Sequence, residues 1–206
     1  MKRNFYNESM AFLEAIASGK NGIQPKKYLD EIIIGKINAA QVRLKPKTHY
    51  IRRKFSAADL SGIQDMLKDQ LTVKIGVNTF NGKSLSGMNY FIPNGIKIKY
   101  VEAAKATTVV NAAYTTTIPA AMKTTNLIVR QSGSNIIEIP FFTITDEYET
   151  DQFGYKLDKL EIFKALNTEL KIDLEFPGDA TILTDSAAND AFIEISFEGY
   201  QTVAVG

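Results

Sequence analysis

The chain has 206 residues, of which 45% are hydrophobic and 23% charged, and its formal net charge is +1. A chain of this length and apolar content can bury a core, most simply as one domain with an extension. It contains no cysteine, which excludes disulfides and cysteine-ligated zinc, haem or iron–sulfur centres.

The near-neutral total conceals a charge asymmetry along the chain. Residues 1–54 carry twelve Lys and Arg against four Asp and Glu, whereas residues 55–206 carry twelve against nineteen. Residues 43–55, RLKPKTHYIRRKF, alone hold six of the cations. Such asymmetry indicates a partner of opposite sign, which is nucleic acid, an anionic membrane surface or another copy of the chain.

Neither a signal peptide nor a membrane span is predicted. The first residues are basic, but Glu8 and Glu14 interrupt the apolar run that a signal peptide needs. No run approaches the roughly 18–20 apolar residues of a membrane-spanning helix. Any membrane contact is therefore expected to be peripheral.

The N-terminal region has helical periodicity. Asn7 is the expected cap of a first helix that ends at Gly19. Its apolar side consists of Met10, Leu13 and Ile16. A shorter helix is expected after Pro25, although the β-branched triplet at 32–34 suits a strand equally well.

A third helix is predicted after the basic stretch. Ser56 and Asp59 resemble a capping box, and Phe55 and Leu60 occupy the positions of a hydrophobic staple. The expected buried stripe is Leu60, Ile63 and Leu67.

From Leu71 onward the apolar period changes to two. Alternation predicts strands at 71–77 and 96–100, and two β-rich runs around Ser132-Gly133-Ser134 predict a hairpin within 126–144. Residues 169–176 and 192–198 also alternate, which predicts antiparallel strands with one face in water. Some eight to ten strands, separated by Gly, Pro and Asn, indicate a β-sandwich or barrel.

The segment 106–125 holds seven Thr, five Ala and a single charge. A Thr-rich strand and loop is the simpler interpretation. A surface that lies against a neighbouring subunit is the alternative, because small uncharged side chains avoid desolvating charges.

No catalytic or cofactor motif is found. Gly82-Lys83-Ser84 ends like a phosphate-binding loop, but five residues rather than four separate Gly76 from Gly82, so a turn at Asn81-Gly82 is expected. The single histidine, His49, is expected at the surface. The acidic run 146–151 has the ligands for calcium but not the spacing of a helix-loop-helix site, which favours a solvated loop.

The basic stretch has three interpretations. Its aromatic side chains could stack on bases of a single nucleic acid strand while the cations contact phosphates. The cations could instead lie against lipid headgroups. In the third, the stretch is a strand whose Tyr50 and Phe55 belong to the core, and the cations are exposed or pair with the acidic C-terminal part of a neighbour.

The order of signals from Leu71 to Gly206 resembles the jelly-roll capsid proteins of icosahedral viruses, particularly those of bacteria. The resemblance lies in the hairpin LIVRQSGSNIIEIPFF, the acidic loop, and the strands ELKIDLEFP and AFIEISFEGYQTV. It implies a strand-rich sandwich without catalytic residues or cofactors, with a basic N-terminal arm that faces the particle interior.

The resulting expectation is one antiparallel β-sandwich of jelly-roll type at 55–206, preceded by a basic helical or extended arm at 1–54. The resemblance implies a non-enzymatic virion protein, made in the host cytoplasm, that assembles with its own copies and other virion proteins. The residues expected to face genome or internal membrane lipid are Arg43, Lys45, Lys47, Arg52, Arg53 and Lys54. The alternative is a non-catalytic module that binds carbohydrate or protein.

Overall fold

The computed structural model describes residues 5–56, 60–68, 72–81, 84–85, 90–146, 154–164, 169–177 and 188–204. The α-helices in these ranges are α1 (Phe5–Ala17), α2 (Pro25–Tyr28), α3 (Glu31–Asn38) and α4 (Phe141–Asp146). The strands are β1 (Val42–Phe55), β2 (Gly62–Asp65), β3 (Phe91–Ala104), β4 (Asn126–Gln131), β5 (Ser134–Pro140), β6 (Tyr155–Lys156), β7 (Leu170–Phe176) and β8 (Asn189–Ala204). Short 3-10 helices cover Lys20–Gly22 and Ala120–Thr124.

The strands form two four-stranded antiparallel sheets, with the orders β1-β8-β3-β6 and β2-β7-β4-β5. Each strand of the first half pairs with its counterpart counted back from the end: β1 with β8, β2 with β7, β3 with β6 and β4 with β5. The topology is that of one long hairpin, with its turn between β4 and β5, folded over so that successive strand pairs fall in alternate sheets.

Both sheets contribute to one main core. Ile195 and Phe197 of β8 and Ile172 and Leu174 of β7 belong to the same buried cluster, and none of the four is accessible to solvent. The predicted mainly β architecture of sandwich type is therefore confirmed at the level of two antiparallel sheets that share a core.

A second core lies on the outer face of the first sheet, beneath the N-terminal helices. Leu13 and Ile16 of α1 pack there with Leu44 of β1 and Ile92 of β3. β1 pairs with β8 along its whole length, from Val42 to Phe55. The sheet thus begins at Val42, so residues 42–54, which were expected to belong to the arm, are part of a sheet.

The N-terminal helices largely follow their sequence signals. α1 already includes Asn7, which is therefore not its cap, and Gly19 follows the helix with a φ of 66°. The triplet 32–34 is helical rather than extended, because the Asp30 side chain caps α3 by accepting a hydrogen bond of 2.8 Å from the Ile33 N–H.

The predicted third helix is wrong. Gly62–Asp65 is strand β2, paired with β7, and Asp59 lies outside the described residues. Gly62 has a φ of 63°, a left-handed conformation that a helix does not accommodate. Capping signals are local and contribute about 1 kcal/mol, so pairing with β7 and burial of Leu67 outweigh them.

The predicted strand at 71–77 is also wrong over its described part, residues 72–77. Those residues form turns, and the Ile75 side chain is 93% exposed. Gly76 reverses the chain with a φ of 81°. The loop instead contacts β1, where Val77 O accepts a hydrogen bond of 2.8 Å from Arg52 N.

The remaining strand predictions are confirmed, with one correction to their environment. The hairpin β4–β5 turns at Ser132 and Gly133, both of which have positive φ. Its second strand ends at Pro140, however, and residues 141–144, which were expected to belong to it, form part of α4. β3, β7 and β8 cover the other alternating runs. Their polar faces are not uniformly wet, because Asp173 and Glu194 are buried beneath cations of neighbouring strands.

The Thr/Ala-rich segment is a connection rather than a strand over most of its length. It consists mainly of turns, with an isolated bridge between Thr115 and Tyr100 and a closing 3-10 helix. Ile118 and Met122 attach its second half to the main core.

Candidate functional site

The basic stretch forms β1, at one side of the first sheet and next to β8. The six candidate residues form two groups by position and burial: three exposed cations in the first half of the strand and three half-buried ones near its end.

Arg52 is held inside the molecule by three kinds of contact. Its Nε lies 2.6 Å from Glu194 Oε2, and its Nη1 donates a hydrogen bond of 3.0 Å to Gly76 O. The guanidinium carbon lies 5.4 Å from the ring centre of Tyr50 and 4.8 Å from that of Tyr114. Arg52 therefore connects β8, the 72–78 loop and the Thr/Ala-rich segment.

Acidic residues of β8 pair with cations from the strands on both sides. The Nζ–carboxylate distances are 2.9 Å for Lys99 with Glu194, 2.9 Å for Lys54 with Asp190 and 2.5 Å for Lys97 with Glu198. Glu194 thus lies between Arg52 of β1 and Lys99 of β3, with its side chain only 5% exposed. A carboxylate so buried needs such partners, because desolvation disfavours its charged form.

Arg53 also has a partner within the chain. Its Nη1 donates to the backbone oxygen of Asp65 on β2, and its guanidinium lies 4.9 Å from the ring centre of Phe55. Arg52, Arg53 and Lys54, which were expected to face genome or lipid, are therefore half-buried and occupied by contacts that hold the sheets together.

Arg43, Lys45 and Lys47 lie in a different environment. All three are exposed, and none forms an ion pair with another residue that the structure describes. They alternate with the buried Leu44 and the proline at 46, so they share one face of β1 at intervals of about 7 Å. We call these three residues the basic row; it is the part of the predicted site that remains available to a partner.

His49 is not at the surface, contrary to expectation. It is 2% exposed and lies against Phe80 and Phe91, with ring centres 5.4 and 4.7 Å away. Its Nδ1 lies 3.1 Å from Thr79 Oγ1. Burial, reinforced by the positive charge of Lys47, lowers the pKa of His49 to about 4, so the imidazole is neutral at pH 7.

A cavity of about 250 Å³ lies near the basic row, between the start of α1 and the first sheet. Its walls come from α1, β1, β3, β6 and β8. The lining residues other than glycine are Phe5, Pro46, Lys47, Thr48, Asn94, Lys156, Glu198 and Tyr200. Sequence reasoning did not single out this site, because its residues are dispersed over almost the whole chain.

The acidic partners on β8 were also missed as a group. Asp190, Glu194 and Glu198 recur every four residues, a spacing that places them on one face of a strand. Together with the basic composition of residues 43–55, that spacing is the sequence signal from which the pairing of β1 with β8 could have been predicted.

Metal and phosphate chemistry receive no support from the described residues. No cluster of three or more His, Cys, Asp or Glu in the described ranges is placed to hold a metal ion. Most of the acidic run, residues 147–151, lies outside those ranges, as do Gly82 and Lys83. Among the helices that the structure describes, none is long and apolar enough to cross a membrane.

Comparisons with known proteins identify no family. No protein-family profile and no curated protein match the sequence. A crystal structure of dimeric latent PorU from Porphyromonas gingivalis aligns with 75% of this chain, at 14% sequence identity and a TM-score of 0.20. The chain spans 13% of the PorU chain, and a likeness at this score supports neither a fold assignment nor a function.

Proposed function

We propose that the chain is a virion structural protein that assembles into an icosahedral capsid, and that its fold is a single jelly roll. The observation that carries the proposal is the strand order β1-β8-β3-β6 and β2-β7-β4-β5. Eight strands in two sheets, built from a folded hairpin, are the arrangement of jelly rolls, which occur in viral capsid and lectin domains.

The basic row supplies a surface for the packaged genome or an internal lipid layer. Three exposed cations about 7 Å apart on one face of a strand suit a row of phosphates without reading base sequence. The proposal assigns this contact to Arg43, Lys45 and Lys47 and gives Arg52, Arg53 and Lys54 a structural role, since the latter three have partners within the chain.

Assembly also needs a contact between copies, for which the tip of the 72–78 loop is suited. Ile75 is exposed. The neighbouring Gly76 lies close to Val110, which is itself partly exposed, since a β-carbon built on Gly76 would be 3.2 Å from the Val110 side chain. The loop is anchored by Arg52 and by a hydrogen bond of 3.0 Å from Gly76 N to the Tyr50 hydroxyl. Exposed apolar side chains on an anchored loop are typical of subunit contacts.

On this proposal the partners are other copies of the chain, other virion proteins and, through charge alone, nucleic acid or lipid. The protein is made in the host cytoplasm and resides in the virion. Neither catalysis nor a cofactor is part of the role.

Size-exclusion chromatography with light scattering, at 50 mM and 500 mM salt, tests the proposal, with negative-stain images of any large fraction. Rings, capsomers or shells whose abundance changes with salt are the expected result. A monomer at every salt and protein concentration, including in the presence of nucleic acid and anionic vesicles, would refute the structural role.

A further inference from the structure

The first half of β1 is a sheet edge that has no partner strand among the described residues. Near the end of β1 the outward backbone groups are occupied by the 72–78 loop, since Arg52 N donates to Val77 O at 2.8 Å. Backbone groups two residues apart point to the same side of a strand. Those of Thr48, Pro46 and Leu44 therefore also point outward, and none of them bonds there with a described residue. We call these three residues the open edge.

The open edge is accessible but unsuited to a strand like itself. Residues 45–48 are all exposed, and the basic row alternates with the open edge along β1. Pro46 has no N–H, so the edge offers one donor fewer. Two copies of β1 side by side would place three cations opposite three cations, which is destabilising. A strand that pairs here must therefore carry acidic side chains.

One run of the sequence has the complementary pattern. Residues 147–151, EYETD, lie outside the described residues, and their acids alternate as Glu147, Glu149 and Asp151. We call this run the acidic segment. The basic row alternates in the same way, so in an extended chain both sets of charges repeat at about 7 Å on one face. In antiparallel pairing Lys45 would lie opposite Glu149, and the two flanking cations would lie opposite the two flanking acids.

The acidic segment is too far from the open edge of its own chain. It is followed by Gly154, which lies against β3, since a β-carbon there would be 2.6 Å from Ile96 O. β8 and β1 both lie between β3 and a strand added to the open edge, so that strand would be about 14 Å from β3. The three residues from Asp151 to Gly154 span at most about 11 Å. A segment that reaches the open edge must therefore come from another copy.

We propose that the acidic segment of one copy adds as a strand to the open edge of a second copy, with its acids paired to the basic row. This inference rests on the proposed assembly of copies and names two surfaces that meet in it. Backbone hydrogen bonds hold an added strand of this kind, and charge decides which strand is accepted. Nucleic acid or lipid then reaches an occupied basic row only by displacing the segment.

The pairing has a consequence for symmetry. Each copy donates its segment from one side of the first sheet, next to β3 and β6, and accepts another at β1 on the opposite side. Such a head-to-tail contact forms rings if the rotation between copies closes, and open filaments if it does not.

The absence of cysteine from the chain allows a disulfide test. Full-length Lys45→Cys and Glu149→Cys chains, one of them with a tag that changes its mass, are mixed at 50 mM salt with oxidised glutathione and separated on a non-reducing gel. Residues directly opposite in paired strands have Cα atoms about 4.5–5.5 Å apart, a distance that a disulfide bridges. Mixed pairs are expected to exceed those from Lys20→Cys with Glu149→Cys by about 5-fold or more. Equal yields would overturn the pairing.

Charge reversal tests whether the two sets of charges meet. Reversing either set alone is expected to lower the assembled fraction measured by light scattering at 50 mM salt. Reversing both sets in one chain is expected to restore it, because opposite charges again face each other. No recovery in a doubly reversed chain that keeps its melting temperature would overturn the pairing. The substitutions are Arg43→Glu, Lys45→Glu and Lys47→Glu in the basic row, and Glu147→Lys, Glu149→Lys and Asp151→Lys in the acidic segment.

Failure of this pairing and failure of the capsid role give different results. The mixed disulfide and the charge recovery, found in complexes that never exceed filaments or single rings, would support the pairing and contradict an icosahedral capsid. Shells formed by chains that give neither result would support the capsid role and overturn the pairing.

Discussion

Arg52 of β1 and Glu194 of β8 face each other at the same register position, with Nε and Oε2 2.6 Å apart, although 142 residues separate them in sequence. Their pairing explains much of the charge asymmetry of the chain. The basic N-terminal and acidic C-terminal parts meet because the first and last strands are neighbours. Part of the opposite charge that the basic stretch requires is therefore within the same molecule.

Replacing Arg52 with Ser is expected to lower the free energy of unfolding by about 3 kcal/mol, since it leaves Glu194 buried with one partner fewer and detaches the 72–78 loop. Arg43→Ser is the matched control on the same strand and is expected to change stability by less than about 0.5 kcal/mol. Urea unfolding followed by circular dichroism measures both values. Equal losses would contradict the division of the basic stretch into two groups.

For the basic row we expect the opposite: substitution should affect binding to a partner and not stability. Changing Arg43, Lys45 and Lys47 together to Ser is expected to leave the melting temperature unaltered and to weaken binding to single-stranded nucleic acid or anionic vesicles, with a shallower salt dependence. Lys20, Lys68 and Lys74, also exposed, provide a control triple variant of equal charge. Fluorescence anisotropy and vesicle sedimentation give the two affinities, and equal weakening by both triples would mean that net charge alone matters.

The burial of His49 is expected to make the stability of the fold sensitive to acid. The pKa falls from about 6.5 in the unfolded chain to about 4 in the folded one, so between these values the unfolded state binds the additional proton. Stability therefore decreases as the pH falls from 6.5 to 4, by about 3 kcal/mol at one His. His49→Gln is expected to remove this share of the slope in unfolding curves measured across the range, and parallel profiles for both proteins would refute it.

Replacing glycine with alanine is expected to change stability in opposite directions at two positions. Gly199→Ala forces a methyl group to within 2.0 Å of Ile92 O and is expected to destabilise the fold by about 3 kcal/mol or more. Gly35→Ala, in α3, meets nothing within 4 Å and is expected to add about 0.5–1 kcal/mol, because Ala is the better helix former. Thermal melts of both variants suffice, and a tolerated Gly199→Ala would mean that β3 and β8 are further apart than described.

The contact between copies is tested at the 72–78 loop. Ile75→Ser changes a side chain that is almost fully exposed, so the monomer is expected to melt at the same temperature while the assembled fraction decreases. Ile32→Ser, at a site 65% exposed on α3, is the control and is expected to leave assembly intact. Light scattering measures the assembled fraction of both variants. An unchanged assembled fraction in Ile75→Ser would show that the loop is not part of the interface.

Local patterns in the sequence determined most of the strands and the first helix. The runs that became β3, β7, β8 and the β4–β5 hairpin alternate because one face of each is buried, and that alternation is visible without knowing the partner. Leu13 and Ile16 likewise recur at helical spacing and are buried in the second core. The period of the apolar residues reflects which face of a helix or strand is buried, so it identifies helices and strands that have one buried face.

Only the tertiary structure decided what lies opposite each element. Residues 62–65 join β7 despite local capping signals for a helix, and the alternating residues 72–77 form turns, since none of the described strands forms a ladder along them. The burial of His49, the pairing of Arg52 but not of Lys45, and the cavity at Gly199 all depend on bringing together residues far apart in sequence. Pairing and packing over such distances release more free energy than local preferences do, and a single sequence carries no direct record of them.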